Sequence, residues 1–149
     1  DEIYQELFAR LAEGVSVIPG VLDVLDGLDA DAVPYCVGSN GPMAKMTITL
    51  TPSGLWHRLE GRIFSPHVIG MEHAKPAPGL FLHAARTMGV TPDEAVVIED
   101  RYSGASAARA AGMRCFGYSA ETPPEQLIEA GATPFDDMAD LPGLLKLMP

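Results

Sequence analysis

Cations, cysteines and long apolar runs are what this sequence has least of. Only 10 lysines and arginines stand against 20 aspartates and glutamates, a formal charge of −10. With no basic patch to offset that balance, the charge argues against nucleic acid and anionic membrane as partners. It does not argue against a small anion, because a few local cations and helix N-termini bind phosphate whatever the global charge. No apolar run approaches the roughly 20 residues of a membrane-spanning helix. Cys36 and Cys115 are the only cysteines, and each falls within a predicted strand. Lone cysteines there read as buried small side chains rather than as a disulfide or metal pair, which predicts a reducing, cytoplasmic setting. His57, His67, His73 and His83 show no ligand spacing. What remains is a chain of 149 residues with an apolar fraction of 47%, enough for one domain with a substantial core.

Strands and helices alternate along it. Ile3, Leu7, Phe8 and Leu11 keep helical spacing, so the spacing predicts a helix over Ile3–Leu11. Val21–Leu28 reads as a short amphipathic helix, Val33–Val37 as a strand and Met43–Leu50 as a helix. A short helix is expected around Leu55-Trp56, with Trp56 packed against the sheet edge. Gly79–Met88 is a predicted helix closed by Gly89, and Ala95–Ile98 a strand buried on both faces. An alanine-rich helix then runs to Gly112, followed by a strand over Met113–Tyr118 and a helix over Thr122–Ala130. Thr133–Phe135 is expected as an edge strand and Met138–Leu147 as a closing helix. Alternation with short loops calls for a parallel sheet covered on both faces, an α/β architecture.

Three loops carry polar chemistry at the ends of these elements. Glu99 and Asp100 end a strand, and paired acids at the carboxyl end of a parallel strand make a hard, oxygen-rich site suited to Mg²⁺. The competing reading is that Asp100 caps the next helix and Glu99 is solvated. Gly38-Ser39-Asn40-Gly41-Pro42 stands between a strand and a helix. There hydroxyl, amide and backbone N–H groups can cradle a phosphate, or serve simply as turn formers and a cap. Lys75 precedes Pro76-Ala77-Pro78, a rigid segment that holds it at a loop mouth. A solvated surface lysine is the ordinary alternative.

In this order and spacing the motifs resemble those of the haloacid dehalogenase superfamily. The nearest branch is the phosphatase and β-phosphoglucomutase-like one with a helical cap. The resemblance rests on Val37–Gly41, on Lys75–Phe81, and on Val96–Asp100 with Gly104 and Ala107–Met113, and it covers roughly residues 15 to 120. Pro19-Gly20-Val21 resembles the family's return from cap to core. The resemblance implies a three-layer Rossmann-like core and hydrolysis of a phosphomonoester of a small metabolite through an aspartyl-phosphate. Ser39 and Asn40 would then bind the phosphate, Lys75 would neutralise phosphate and nucleophile, and Asp100 would bind Mg²⁺. Glu99 would be a further ligand or hold a metal-bound water. Arg101 stands where the family often has serine, and Arg101 and Tyr102 either border the substrate or are ordinary helix-entry residues.

One departure is large. The family's first strand ends in an Asp-x-Asp loop that supplies the nucleophile, and no such loop follows a strand here; Asp29-Ala30-Asp31 lies in a turn. The expectation is therefore a core over 15–149 lacking its central first strand, with 1–14 the last helix of a cap. A preceding segment, cleaved away, left out of this sequence or on a separate chain, would bring the strand and the nucleophile. A 2-haloacid dehalogenase or a phosphosugar mutase of the same fold is the alternative activity, and a non-catalytic phosphate- or protein-binding relative the alternative class.

Overall fold

The structure, a computed structural model, describes residues 2–5, 19–51 and 54–146. Six parallel strands form one sheet in the order β3-β2-β1-β4-β5-β6. They are β1 (Glu2–Gln5), β2 (Tyr35–Gly38), β3 (Ile63–Phe64), β4 (Val96–Glu99), β5 (Arg114–Tyr118) and β6 (Thr133–Phe135). The helices are α1 (Val21–Ala30), α2 (Met43–Leu50), α3 (Leu55–Leu59), α4 (Pro66–Ile69), α5 (Gly79–Met88), α6 (Tyr102–Ala110), α7 (Pro124–Glu129) and α8 (Leu141–Lys146).

Period-two alternation along the strands builds two cores. Tyr35 and Val37 of β2, with Val96 and Ile98 of β4, face α1, α2 and α3 on one side; Trp56 packs against this cluster. Cys36 and Val97, pointing the opposite way, meet α5, α6 and α7. Every residue of β2 and β4 is buried, which is why both read as unbroken apolar runs. Small side chains let α6 lie close on the sheet, with Gly104, Ala105, Ala107 and Ala108 all buried. Gly89 ends α5 at φ 78°, a left-handed cap that suits glycine.

The N-terminal expectation needs correction. Glu2–Gln5 is a strand, not part of a cap helix, and it fills the central place expected to be empty. It pairs with β2 from Glu2↔Tyr35 to Gln5↔Gly38, and with β4 from Glu2↔Val96 to Tyr4↔Ile98. The physical reason is the ladder. Two buried neighbours would each present a row of unmet N–H and C=O groups, at about 1–3 kcal/mol per group left unsatisfied. A segment containing Ile3 and Tyr4, types that suit strands, answers both edges at once and overrides a helical spacing. The rest of the expected cap helix, residues 6–14, lies outside the described residues. Elsewhere boundaries shift by a residue or two, except that the closing helix splits into a 3₁₀ turn at Met138–Asp140 and α8.

Among the described residues no helix is long and apolar enough to cross a membrane. Burial pushes the Cys36 thiol up to about 12 and the Cys115 thiol well above its ordinary range, the latter with a smaller push from Glu99. Both thiols should therefore stay protonated and react slowly with Ellman's reagent near pH 8, where an open thiol is already partly ionised. Denaturant should release both; rapid titration of either in the native protein would contradict this packing.

Candidate active site

Strand order reverses on either side of β1, and in such sheets the crevice beyond the strands' carboxyl ends is where ligands bind. The flanking strands β2 and β4 end in Ser39 and in Glu99-Asp100, so the topology alone delivers these motifs to one rim. The loop after the 3₁₀ turn Met71–His73 brings Lys75 to the same place. Lys75, Ser39, Glu99 and Asp100 are all buried, four of the five buried polar or charged residues described; Ser65 is the other.

Lys75 is the meeting point. Its Nζ lies 3.6 Å from Glu99 Oε2 with both side chains fully buried, and donates to Gly38 O at the end of β2 over a long 3.4 Å. Its backbone is held by Asn40: Lys75 N–H donates to Asn40 Oδ1 at 3.0 Å, and Asn40 Nδ2 donates to Lys75 O at 3.2 Å. One ammonium thus joins the Ser39 loop to the acid pair, although 24 residues separate Lys75 from Glu99 and 35 separate it from Asn40.

Glu99 turns back rather than outward. Its Oε1 accepts from Asp100 N–H at 3.1 Å, while Oε2 faces Lys75. Its carboxyl lies against Gly104 in the first turn of α6, so closely that a Cβ built there would sit 1.9 Å from Glu99 Cδ. No side chain fits at position 104 unless Glu99 moves. Asp100 is steadied by Thr122, whose hydroxyl donates to Asp100 O at 2.5 Å.

The Ser39 loop is braced likewise. Ser39 N–H donates to Phe64 O at 3.0 Å, and Ser39 Oγ accepts from Gly41 N–H at 3.1 Å. The Ser65 hydroxyl donates to Gly41 O at 2.6 Å while also capping α4 through His67 N–H. Asn40 commits its amide oxygen and one amide hydrogen to Lys75, a use that neither a phosphate donor nor a turn former implies. Arg101 precedes α6 at its N-cap, and both Arg101 and Tyr102 are exposed. Ser65-Pro66 carries a readable helix-start signal, a serine cap with proline next. Thr122 offers none, because its contact lies across the rim from the motif it serves.

A family model described as haloacid dehalogenase-like hydrolase matches residues 1–112. The chain belongs to the haloacid dehalogenase-like hydrolases. It is 30% identical over 147 residues to 6-phosphogluconate phosphatase of Escherichia coli K12, covering 98% of this chain and 64% of that protein. A solved haloacid dehalogenase-like protein of Agrobacterium tumefaciens matches with a TM-score of 0.83 and 36% identity, over 93% of this chain and 64% of that one. A hydrolase of the family from Deinococcus radiodurans, solved with bound phosphate and sodium, matches with a TM-score of 0.82 and 31% identity, over 92% of this chain and 62% of that one. The chain thus spans a little under two thirds of each of these three proteins.

Could the rim hold a divalent cation? Among the described residues no group of three or more His, Cys, Asp or Glu side chains gathers in a metal-holding arrangement. A full protein cage for a transition metal is therefore not built from them. Mg²⁺ asks for less, namely one or two carboxylates with water and a substrate phosphate completing its shell. Buried Asp100 fits that requirement as one carboxylate, whereas the two Glu99 oxygens are engaged by Asp100 N–H and by Lys75.

The Glu99–Gly104 contact makes a direct prediction. Gly104→Ala should lower unfolding free energy by about 1–3 kcal/mol, the usual cost of overpacking, measured by urea denaturation. In a Glu99→Ala background the same change should cost clearly less, since the added methyl then has room. Equal losses in the two backgrounds would show that the contact does not decide residue 104.

Proposed function

We propose that the protein containing this chain hydrolyses phosphomonoesters of small phosphorylated metabolites, sugar phosphates foremost. The observation that carries this reading is the Lys75 ammonium, buried where the Ser39 loop meets the acid pair. A transferring phosphoryl group spreads charge over its oxygens, so a site for it has to position and neutralise. With one Ser39 lone pair taken by Gly41 N–H, the hydroxyl keeps its hydrogen to donate to a phosphate oxygen. Backbone N–H groups of the Asn40 loop add donors, and Lys75 supplies a compact positive charge toward phosphate and nucleophile. Asp100, its backbone N–H held by Glu99, would hold Mg²⁺, which supplies Lewis-acid neutralisation of the phosphate oxygens when bound.

The nucleophile is not among the described residues at the rim. β1 occupies the family's first-strand place, yet the residues after it, Glu6-Leu7-Phe8, include no aspartate. We assign that role to an aspartate in a segment preceding Asp1, which would attack phosphorus, displace the alcohol and then pass the phosphoryl group to water. The incoming strand would displace Glu2–Gln5 from the centre of the sheet. The kinship with a 6-phosphogluconate phosphatase and the likeness to a phosphate-bound hydrolase support this reading.

The test is a phosphatase screen on the full-length protein, with p-nitrophenyl phosphate and a panel of sugar phosphates. Turnover that vanishes with EDTA is expected, and the 149 residues alone should be inactive. Asp100→Asn and Lys75→Ala should each lower kcat by about 10²–10³, the typical cost of deleting one preorganised charge. Full activity in the 149-residue chain would remove the missing-nucleophile account, and chloroacetate turnover without phosphatase activity would move the assignment to dehalogenation.

A further inference from the structure

We infer that Asn40 is a positioning residue for Lys75, one that fixes where the ammonium sits by gripping the lysine's own peptide groups; this deepens, and rests on, the phosphatase reading. An Asn side chain offers an acceptor and a donor about as far apart as the N–H and C=O of one extended residue, and Asn40 spends both on Lys75, at 3.0 and 3.2 Å. The two bonds also settle which way the amide points. Lys75 N–H can only meet the oxygen, and Lys75 O can only meet the NH₂ group.

The neighbouring turns do not do this work. Ala74 N–H closes onto Met71 O and Ala77 N–H onto Ala74 O, so local bonds shape the loop on both sides of Lys75. The grip on Lys75 itself comes from a residue 35 positions away. Lysine carries its charge on a flexible four-carbon stem, so placing the ammonium requires control of the root as well as the tip. The root is held by Asn40, and the tip reaches Gly38 O at the end of β2, where the Asn40 loop begins. Ser65 anchors that loop in turn through Gly41 O. The line Ser65–Gly41–Asn40–Lys75 therefore ties the charge to the end of β3, and Asn40 is its one link made of a side chain on a peptide unit at both atoms.

The effect expected follows from geometry, since small misplacement of a catalytic group costs about 10²-fold in rate. In the full-length protein Asn40→Ala should lower kcat on p-nitrophenyl phosphate by about 10- to 100-fold and change KM much less. Asn40→Asp, which keeps the acceptor but sets an oxygen against Lys75 O, should not restore it. The deciding measurement is a double-mutant cycle: in a Lys75→Ala background Asn40→Ala should cost nothing further, because the group it positions is gone. A full, additive loss in that background would show that Asn40 acts independently of Lys75 and overturns the inference. A second readout needs no turnover. Amine-acylation mapping by mass spectrometry, with exposed Lys45 as internal reference, should find Lys75 shielded in the parent and labelled several-fold faster in Asn40→Ala. Unchanged labelling overturns the inference whatever the activity, whereas absence of phosphatase activity in the unmutated protein, with labelling as expected, removes only the reading on which it rests.

Discussion

A lysine whose side chain has no exposed surface must be met by groups that replace water, and Lys75 is met by Glu99 at 3.6 Å and by the Gly38 carbonyl. Removing one partner from a buried ion pair costs about 3–5 kcal/mol, because the other charge is left stranded. Such a pair contributes little to stability compared with apolar packing of the same volume. Its presence in the interior is better understood through what the charge can do. It sits at the only rim where strand ends on both sides of the reversal can present groups to a ligand. The global charge of −10 does not set the local balance there, where a buried cation faces an acid pair.

Much of the surrounding structure follows from keeping that pair in place. Glu99 can bend back to Lys75 only because residue 104 has no side chain, and α6 can approach the sheet only because its inward face is glycine and alanine. The alanine-rich composition of this helix is therefore not propensity alone. The alanines lie in the apolar cluster against the sheet, while Gly104 alone is shown to answer to the Glu99 carboxyl. The same economy holds on the other side, where Ser65 both caps α4 and holds Gly41, so one hydroxyl serves a helix end and the Ser39 loop together.

The elements most legible in sequence are those whose pattern is local. Met43–Leu50 and Gly79–Met88 match their predicted bounds because apolar spacing and, for the latter, a left-handed Gly89 cap mark them without reference to the rest of the fold. Thr133–Phe135 is recognisable as a strand from its bounding turns, and lies at the sheet edge where Pro134 is tolerated. The convergence of Ser39, Lys75 and the acid pair was legible too, but only through the family resemblance, since nothing local in Lys75-Pro76 says which loop it will meet. What stayed hidden depends on contacts across the fold. Asn40 reads as a turn former or a donor to phosphate until its partner is in view, and Thr122 reads as an ordinary residue before a helix.

Ile3–Leu11 is the instructive failure. Its helical spacing is real, yet over Glu2–Gln5 it lost to a slot flanked by two strands with unmet backbone groups. Backbone pairing is indifferent to side-chain identity, so the centre of a parallel sheet can be closed by any segment that tolerates extended geometry. Chemistry is not indifferent. Glu6-Leu7-Phe8, which follow β1, include no aspartate, whereas the family resemblance leads one to expect an aspartate after the first strand. Stability and chemistry thus make separate demands on one position: the first is met by an extended segment that hydrogen-bonds on both sides and whose side chains suit a buried strand, the second by whichever residue follows it.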